Sequence, residues 1–176
     1  TVDGRVIATG GVDVSVTDGM LRTEETNVRN LVVGSASAPI SEAGTIEFLL
    51  ENTPNVDPII NASGMADFHS NATVSFSSLA FLGSDGVCSL LRASQGIKLN
   101  GQNLDEVVAF NSPFLFDNSF VIENDGDIDT LSLVLQRKSA ADLGLTGNAA
   151  AVFEPALTAA GQDNIFGQGL LGITDE

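Results

Sequence analysis

The sequence has neither tryptophan nor tyrosine, and all ten of its aromatic residues are phenylalanine. Binding surfaces and sugar clefts favour the amphipathic rings of tryptophan and tyrosine, so we expect these phenylalanines to fill a core. The single cysteine, Cys88, excludes an intramolecular disulfide and a cysteine-based zinc site. We therefore predict that Cys88 is a small buried hydrophobic residue rather than a nucleophile.

Positive charge is also scarce, with seven Lys and Arg against 23 Asp and Glu and a formal net charge of −16. Nucleic-acid affinity rests on neutralising phosphates with Lys and Arg, so this charge excludes a nucleic-acid partner. Long apolar runs are missing too, and none approaches the roughly 20 residues of a membrane-spanning helix. We expect a chain that is not itself inserted in a membrane and that needs no cofactor.

Alternation of apolar and polar residues dominates the first 137 positions. Successive side chains of a strand point to opposite faces, so alternation predicts strands with one buried stripe. Four segments show it most clearly: Val12 to Thr17, Ile46 to Glu51, Ala72 to Ser77 and Leu131 to Gln136. Shorter candidates are Arg5 to Thr9, Asn30 to Val33, Pro58 to Asn61, Val87 to Ala93, Val107 to Phe110 and Phe120 to Glu123.

Turn-forming pairs separate these segments: Gly10-Gly11, Asp18-Gly19, Asp85-Gly86, Asn100-Gly101 and Asp125-Gly126. Asn-Gly and Asp-Gly tolerate the positive φ angles of tight turns. Many short strands with closely spaced turns favour an all-β fold, either a sandwich or a solenoid. Alternation by itself does not separate parallel from antiparallel neighbours.

The composition changes after Lys138. Ser139 and Asp142 have the spacing of a capping box, and Gly144 is expected to end that short turn. Asn148 is a candidate cap for a second helix, in which Phe153 and Leu157 share a face and Pro155 is expected to cause a kink or restart. A last amphipathic piece is expected from Asp163 towards Ile173.

Catalytic arrangements are hard to assemble from these residues. His69 is the only histidine, and no G-x-S-x-G motif accompanies it, since Ser84 fits a turn better. Glu47 and Glu51 lie on the same face of one predicted strand, but paired carboxylates of a glycosidase need a sugar cleft. We interpret the two glutamates as the solvated face of a strand and predict no catalytic residue.

Asp125, Asp127 and Asp129 form the densest acidic cluster and are candidate calcium ligands. An EF-hand is excluded, because Thr130 stands where that loop needs glycine and Gln136 where it needs glutamate. The competing interpretation, which the sequence favours, is a hairpin turn centred on Asp125-Gly126. We therefore predict no metal site other than this calcium candidate.

In order and spacing, several segments resemble the C-terminal passenger stem of bacterial autotransporters (type V secretion). Residues 31–35, 44–48 and 60–64 are similar to the last rungs of that family's β-helix. Residues 72–76 and 88–97 are similar to its autochaperone junction. Residues 111–116 and 131–139 look like its terminal hairpins, and 141–148 resembles the helical stretch before the translocator.

The resemblance implies a right-handed parallel β-helix, a solenoid, with C-terminal capping hairpins near Asp85-Gly86 and Asp125-Gly126 and a short helical tail. It implies a stem over residues 1–138, with an autochaperone-like cap over about 72–138. A linker over 139–176 would run towards a β-barrel translocator that is not in this chain. The chain begins in mid-pattern at Thr1, and we expect it to be a piece of a longer protein.

The function implied is structural. Such a module templates folding of the passenger during outer-membrane secretion and displays an N-terminal effector on the surface of a Gram-negative bacterium. Its folding nucleus would join the strand of Leu131, Leu133 and Leu135 to Phe76, Phe81, Phe116 and Phe120. Its partners would be its own translocator and a surface protein. The alternative is a free-standing β-sandwich adhesin domain or a subunit of a surface assembly, with the apolar tail docking on a neighbour.

Two further motifs are chance matches. Residues 167–172, Gly-Gln-Gly-Leu-Leu-Gly, fit the dinucleotide-binding fingerprint but lack the strand before it and the acidic residue some 20 positions later. Asn61-Ala62-Ser63 and Asn71-Ala72-Thr73 fit the glycosylation pattern, which means little in a bacterial protein of the kind that the resemblance implies.

Overall fold

The computed structural model describes residues 2–3, 6–7, 11–23, 25–37, 43–50, 57–78, 85–108 and 115–171. The strands within these ranges are β1 Val2–Asp3, β2 Val6–Ile7, β3 Val14–Val16, β4 Gly19–Thr23, β5 Thr26–Val28, β6 Leu31–Val33, β7 Gly44–Leu50, β8 Ile60–Ala62, β9 Ala66–Phe68, β10 Ala72–Ser78, β11 Gly86–Ala93, β12 Ile97–Lys98, β13 Phe116–Asp125 and β14 Ile128–Arg137. The helices are α1 Leu104–Val107, α2 Gly147–Gln162 and α3 Asn164–Leu171.

These strands form three sheets. One has the order β1-β4-β7-β10, a second β13-β14-β11-β8-β5-β2, and a third β12-β9-β6-β3. Each strand from β1 to β9 pairs in parallel with the strand three places later. A parallel pair needs a crossover between its strands, and here the two intervening strands, which belong to the other sheets, provide it.

The expected fold class is wrong. The strands lie in three separate sheets, the largest of these is mixed because β14 pairs antiparallel with both neighbours, and no right-handed solenoid is shown. The helical part is also larger than a short tail, with 16 residues in α2 and 8 in α3. Alternation reports which side chains are buried, and it carries no information about the direction or identity of the neighbouring strand.

Only one of the two expected hairpins is present among the described strands. β13 and β14 are joined at Asp125 and Ile128, and Gly126 has a φ angle of 69° at the first central position of the turn. This hairpin is confirmed, with its turn formed by Gly126 and Asp127. The hairpin expected at Asp85-Gly86 is wrong, because β10 and β11 belong to different sheets.

Most of the predicted apolar side chains of the alternating segments are buried, but Val12 is 50% exposed and Val14 and Val16 are only half-buried. Ile46 and Phe48 are fully buried on β7, and Leu50 is nearly so. The same single cluster of buried residues contains Val74 of β10 and the three leucines of β14. The short candidate Val107 to Phe110 was wrong at its start, since Val107 ends α1; Val108 forms an isolated bridge with Val74, and Ala109 and Phe110 lie outside the described residues.

Stacked turns extend the parallel pairing beyond the strands. The amide of Ser63 donates to Val28 O at 3.0 Å, and the amide of Ser94 donates to Ala62 O at the same distance. Gly44 marks a close backbone approach, because a Cβ atom at this position would lie 1.9 Å from the carbonyl oxygen of Val16. Only glycine fits there without moving a neighbouring strand.

Candidate functional site

The candidate functional site is one end of the six-stranded sheet, which is formed by β11, β14 and β13. β14 covers the last parallel strand of the six-stranded sheet by pairing antiparallel with β11, where Cys88 lies opposite Leu133. The register shifts between Ser89 and Leu91, so Leu90 is the extra residue of a β-bulge. Cys88, Leu90 and Leu91 are all essentially buried, which confirms the predicted burial of the cysteine.

Stacked phenylalanine rings connect the hairpin to a different sheet. Phe48 and Phe76 stack on neighbouring strands β7 and β10, with ring centroids 5.7 Å apart. Phe120 of β13 stacks on Phe76 with centroids 5.1 Å apart, although β13 belongs to the six-stranded sheet. The hairpin therefore supplies the next ring in a row that begins in the sheet of β1, β4, β7 and β10.

Three of the predicted nucleus residues on β14 and one on β13 are confirmed as core. Leu131, Leu133 and Leu135 are at most 3% exposed, and Phe116 is 1% exposed. Phe81 lies outside the described residues. Phe76 and Phe120 are half-buried and pack against this core, whereas Phe166 of α3 is 43% exposed and does not fill a core as expected.

Helix α2 belongs to the same core. Phe153, Leu157 and Ala160 lie on one face and are buried in the single hydrophobic cluster, which confirms that Phe153 and Leu157 share a face. The guanidinium of Arg137, at the end of β14, lies 2.9 Å from the carboxylate of Glu154. The helix is thus attached to the hairpin by an ion pair, and its apolar face is buried in the cluster that also contains the leucines of β14.

The capping predictions for this region are partly confirmed. Ser139 donates to the Asp142 carboxylate through its amide at 2.8 Å and its hydroxyl at 2.6 Å, and these bonds lower the pKa of Asp142. Gly144 adopts a φ angle of 67° as the turn ends. The second cap was wrong, because α2 begins after Thr146 rather than at Asn148.

Two further expectations concern the later helices. Helix α2 runs through Pro155 without restarting. The expected amphipathic piece is α3, capped by Asp163, whose carboxylate accepts the amides of Ile165 and Phe166 at 3.0 and 3.1 Å.

The three aspartates of the calcium candidate lie in different environments. Asp129 accepts a hydrogen bond from the amide of Ile97 at 2.7 Å and another from the Asn124 side chain at 2.6 Å. Asp125 and Asp127 are exposed at the hairpin turn. The described ranges contain no group of three or more His, Cys, Asp or Glu side chains arranged to hold a metal ion. The calcium candidate stays a prediction.

The remaining candidate residues lie apart. His69 is half-buried directly after β9, and its amide donates to Val33 O at 2.9 Å. Glu47 lies 3.0 Å from the Arg22 guanidinium on the neighbouring strand β4, so its carboxylate has a structural partner. Ser84 and Glu51 lie outside the described residues.

One exposed ion pair was not anticipated from the sequence. Arg29 donates to both carboxylate oxygens of Asp13, and the side chain of Asn30 adds a further bond at 2.8 Å. These contacts, with Arg29 the largest cause, lower the pKa of Asp13 to about 2. Asn30 also accepts the amide of Met65 at 3.0 Å, so the group links three successive turns.

The structure gives no support to the dinucleotide-binding and glycosylation motifs in the described residues. Residues 167–171 belong to α3, and their helix follows α2 and not a strand. Asn71 is 4% exposed, and its side-chain oxygen accepts the amide of Ser35 at 2.7 Å. Within the described helices, none is long and apolar enough to cross a membrane.

Comparisons with protein-family models, with curated proteins and with solved structures give no match to this chain.

Proposed function

We propose that this chain is a structural and folding module of an autotransporter-type passenger, with no catalytic role of its own. The observation that carries the proposal is the antiparallel hairpin of β13 and β14, which pairs with β11 and ends the run of parallel pairs formed by β2, β5, β8 and β11. The resemblance of the sequence to an autotransporter stem supplies the biological setting, at the surface of a Gram-negative bacterium.

Closing this end has a physical purpose. An uncovered strand edge offers a row of backbone donors and acceptors that pair with other chains. Here β14 occupies that edge of β11, β13 becomes the edge strand of the sheet, and the Phe76–Phe120 stack holds β13 against the sheet of β1, β4, β7 and β10. The same contacts make the hairpin a template on which earlier strands order.

Direction of emergence makes such a template useful. If a passenger leaves its translocator with the C-terminal residues first, the hairpin and the last parallel strands are outside before the rest. Leu131, Leu133 and Leu135 already bury against these strands. A stable folded structure outside the translocator disfavours backward movement of the chain through it. Each earlier strand can then pair with a strand that is already folded.

The available polar groups fit a scaffold better than a catalyst. Glu47 is engaged by Arg22, and Asp129 accepts bonds from Ile97 and Asn124. Contacts of this kind hold strands and turns in place, and these carboxylates already have structural partners.

Surface display tests the proposal. The full chain is placed between a reporter and an autotransporter β-barrel translocator in a Gram-negative host, and surface-exposed reporter is measured. Leu133→Asp puts an unpaired carboxylate at a fully buried site opposite Cys88, whereas Gln136→Asp adds the same charge at an exposed site of the same strand. We expect a severalfold loss of display for Leu133→Asp alone.

Two outcomes contradict the proposal. One is wild-type display no higher than that obtained with a flexible linker of equal length. The other is unchanged display with Leu133→Asp although hydrogen exchange of the purified variant shows β11, β13 and β14 to be unfolded.

A further inference from the structure

The third sheet, with the order β12-β9-β6-β3, has a regular ladder of backbone hydrogen bonds where its strands begin. The first amide of a strand donates to the carbonyl of the residue just before the neighbouring strand, at 2.9, 3.0 and 3.1 Å: Val14 to Asn30, Leu31 to Met65 and Ala66 to Gly96. Among the described strands, β12 is the last of this sheet, and its first amide belongs to Ile97. That amide donates to Oδ2 of the Asp129 side chain at 2.7 Å. The Asp129 carboxylate thus takes the position that a backbone carbonyl has in the three earlier bonds.

Side chains also complete the ladder at the other ends of these strands. The amide of the residue after a strand donates to the last carbonyl of the neighbouring strand, at 2.9 Å in both cases: Gly34 to Val16 and His69 to Val33. The next carbonyl in this series belongs to Phe68, the last residue of β9, and β12 is one residue shorter than β9. The Phe68 carbonyl accepts the side-chain amides of Asn100 at 3.0 Å and Gln102 at 3.2 Å. Two side-chain amides therefore stand where backbone amides stand earlier in the sheet.

A tight turn directs both side-chain amides towards Phe68. The amide of Gln102 donates to Leu99 O at 3.1 Å, and the central residues Asn100 and Gly101 have φ angles of 51° and 85°. Positive φ angles at both central positions are typical of the turns that Asn-Gly favours. The Asn100 side chain also donates to the Asp67 carboxylate of β9. The turn therefore covers the end of β9 that the shorter β12 leaves open.

Asp129 reaches the third sheet from the six-stranded sheet. It is the second residue of β14, where it pairs with Ala93 of β11 and with Asn124 of β13. Its other carboxylate oxygen, Oδ1, accepts the Asn124 side chain at 2.6 Å. Because the two oxygens have different donors, the carboxylate is held with Oδ2 towards Ile97. The hairpin that covers β11 therefore also ends the third sheet through one side chain.

We propose that Asp129, Asn100 and Gln102 form an edge cap, a set of side chains that stand in for a further strand and stop strands from adding at β12. An uncovered edge pairs with other chains through its free backbone donors and acceptors. Here the Ile97 amide and the Phe68 carbonyl are already bonded, so they are not free for such pairing. The edge cap deepens the proposed function, on which it rests only for its biological setting.

The third sheet itself contains the partner that the edge cap keeps away. Its other end is β3, a three-residue strand whose one described neighbour is β6. Pairing of β12 of one copy with β3 of the next would join two different surfaces, and such head-to-tail contacts repeat without closing. Loss of the edge cap is therefore expected to give assemblies of many copies and not a closed dimer.

Hydrogen exchange of the Ile97 amide, followed by NMR in the full chain, tests the role of Asp129 as acceptor. Asp129→Ala removes the acceptor, whereas Asp129→Asn removes the same charge and keeps a side-chain oxygen for the Ile97 amide. We expect exchange at Ile97 to be at least about tenfold faster with Asp129→Ala and less than about threefold faster with Asp129→Asn. Asp127→Ala removes a carboxylate from an exposed position of the same hairpin turn and is expected to leave exchange at Ile97 unchanged.

Sedimentation velocity tests whether the edge cap blocks strand addition. The triple variant Asp129→Ala, Asn100→Gly, Gln102→Ala removes all three side chains of the cap, and Asn100→Gly is compatible with the positive φ angle of the turn. At up to about 0.5 mM protein, this variant is expected to form species larger than a dimer that grow with concentration. The wild-type chain and Asp127→Ala, which has the same net charge as the triple variant, are expected to form no such species.

Folding of each variant is checked by circular dichroism and by its melting temperature. Should Asp129→Ala fail to fold, Asn124→Ala provides a second test of the same carboxylate. It leaves Asp129 in place but removes the donor that holds Oδ1. Exchange at Ile97 is then expected to rise about threefold, because the carboxylate is less firmly held towards the amide.

Three results would overturn the edge cap. The first is an Ile97 amide that exchanges equally fast in the wild-type chain and in Asp129→Ala. The second is equal acceleration by Asp129→Ala and Asp129→Asn, which would mean that charge, and not an acceptor oxygen, protects this amide. The third is a folded triple variant that associates no more than Asp127→Ala. Loss of surface display would contradict only the proposed function, since the edge cap is measured on the purified chain without a translocator.

Discussion

Phe76 and Phe120 stack with their ring centroids 5.1 Å apart and their planes inclined by 25°, although they belong to different sheets. This contact holds the hairpin of β13 and β14 against the sheet of β1, β4, β7 and β10. Phe48 continues the row on the other side of Phe76. The contact therefore couples the closing hairpin to two parallel strands at once.

Replacing Phe120 with alanine tests that coupling. The ring is half-buried, so the loss is expected to be smaller than for a fully buried phenylalanine, roughly 2–3 kcal/mol in the free energy of unfolding. Urea denaturation at low protein concentration measures it. Val121→Ala, at the next position on the opposite face, is the control and is expected to cost less than about 1 kcal/mol. Equal losses in the two variants would show that the stack contributes nothing beyond an ordinary surface contact.

Gly44 provides a test of how closely the strands approach. A Cβ atom at this position would lie 1.9 Å from Val16 O and 2.6 Å from the amide nitrogen of Gly34, which itself donates to Val16 O. Gly44→Ala is expected to lower the free energy of unfolding by roughly 2–3 kcal/mol, because strands must move apart. In α2, a Cβ atom added at Gly161 would meet no other atom within 4 Å, so Gly161→Ala is the control and is expected to be neutral or stabilising by about 0.5–1 kcal/mol. A tolerated Gly44→Ala would mean that the backbone spacing here is wider than these distances require.

The sequence predicted most of the buried stripes, because alternation depends only on which face of a strand meets the core, but it failed for Val12, which is 50% exposed. Ile46, Phe48 and the leucines of β14 are where this argument placed them. It failed for the arrangement of the strands, because nothing in a segment such as Thr26–Val28 specifies Ile60–Ala62 as its neighbour. Pairing over more than 30 residues is decided by the packing of the whole set of sheets.

Some local contacts could be predicted from the sequence and others could not. The apolar run from Val107 suggested a strand, yet the carboxylate of Glu106 accepts the amide of Asn103 at 2.8 Å and starts α1 there. That Asn-x-x-Glu spacing is a helix-start signal that the sequence does contain. The ion pair between Arg137 and Glu154 had no such signal, since it depends on where α2 packs against the hairpin.

The Asp13 carboxylate gives a prediction for pH dependence. Its pKa in the folded chain is lowered to about 2 from an ordinary value of 3.8, chiefly by the bonds from Arg29. A lowered folded-state pKa means that this contact stabilises the fold above about pH 4 and is lost as the pH falls towards 2. Arg29→Gln is expected to raise the pKa of Asp13 towards 3.8, as followed by carboxyl-carbon NMR. Arg92→Gln removes a charge from a different sheet and is expected to leave it unchanged, so an equal rise in both variants would mean that net charge, and not the Arg29 contact, sets the pKa.

Helix α2 decides whether residues after Lys138 are part of the fold or only attached to it. Leu157 is 4% exposed and belongs to the central cluster, whereas Val152 on the same helix is 60% exposed. Leu157→Ala is expected to lower the free energy of unfolding by about 2–4 kcal/mol, measured by urea denaturation, and Val152→Ala to change it by less than about 0.5 kcal/mol. Because the cluster is shared, hydrogen exchange in Leu157→Ala is expected to rise in β14 as well as in α2. Faster exchange confined to α2, with β14 unaffected, would instead mean that the helix is a separate tether whose packing does not support the sheets.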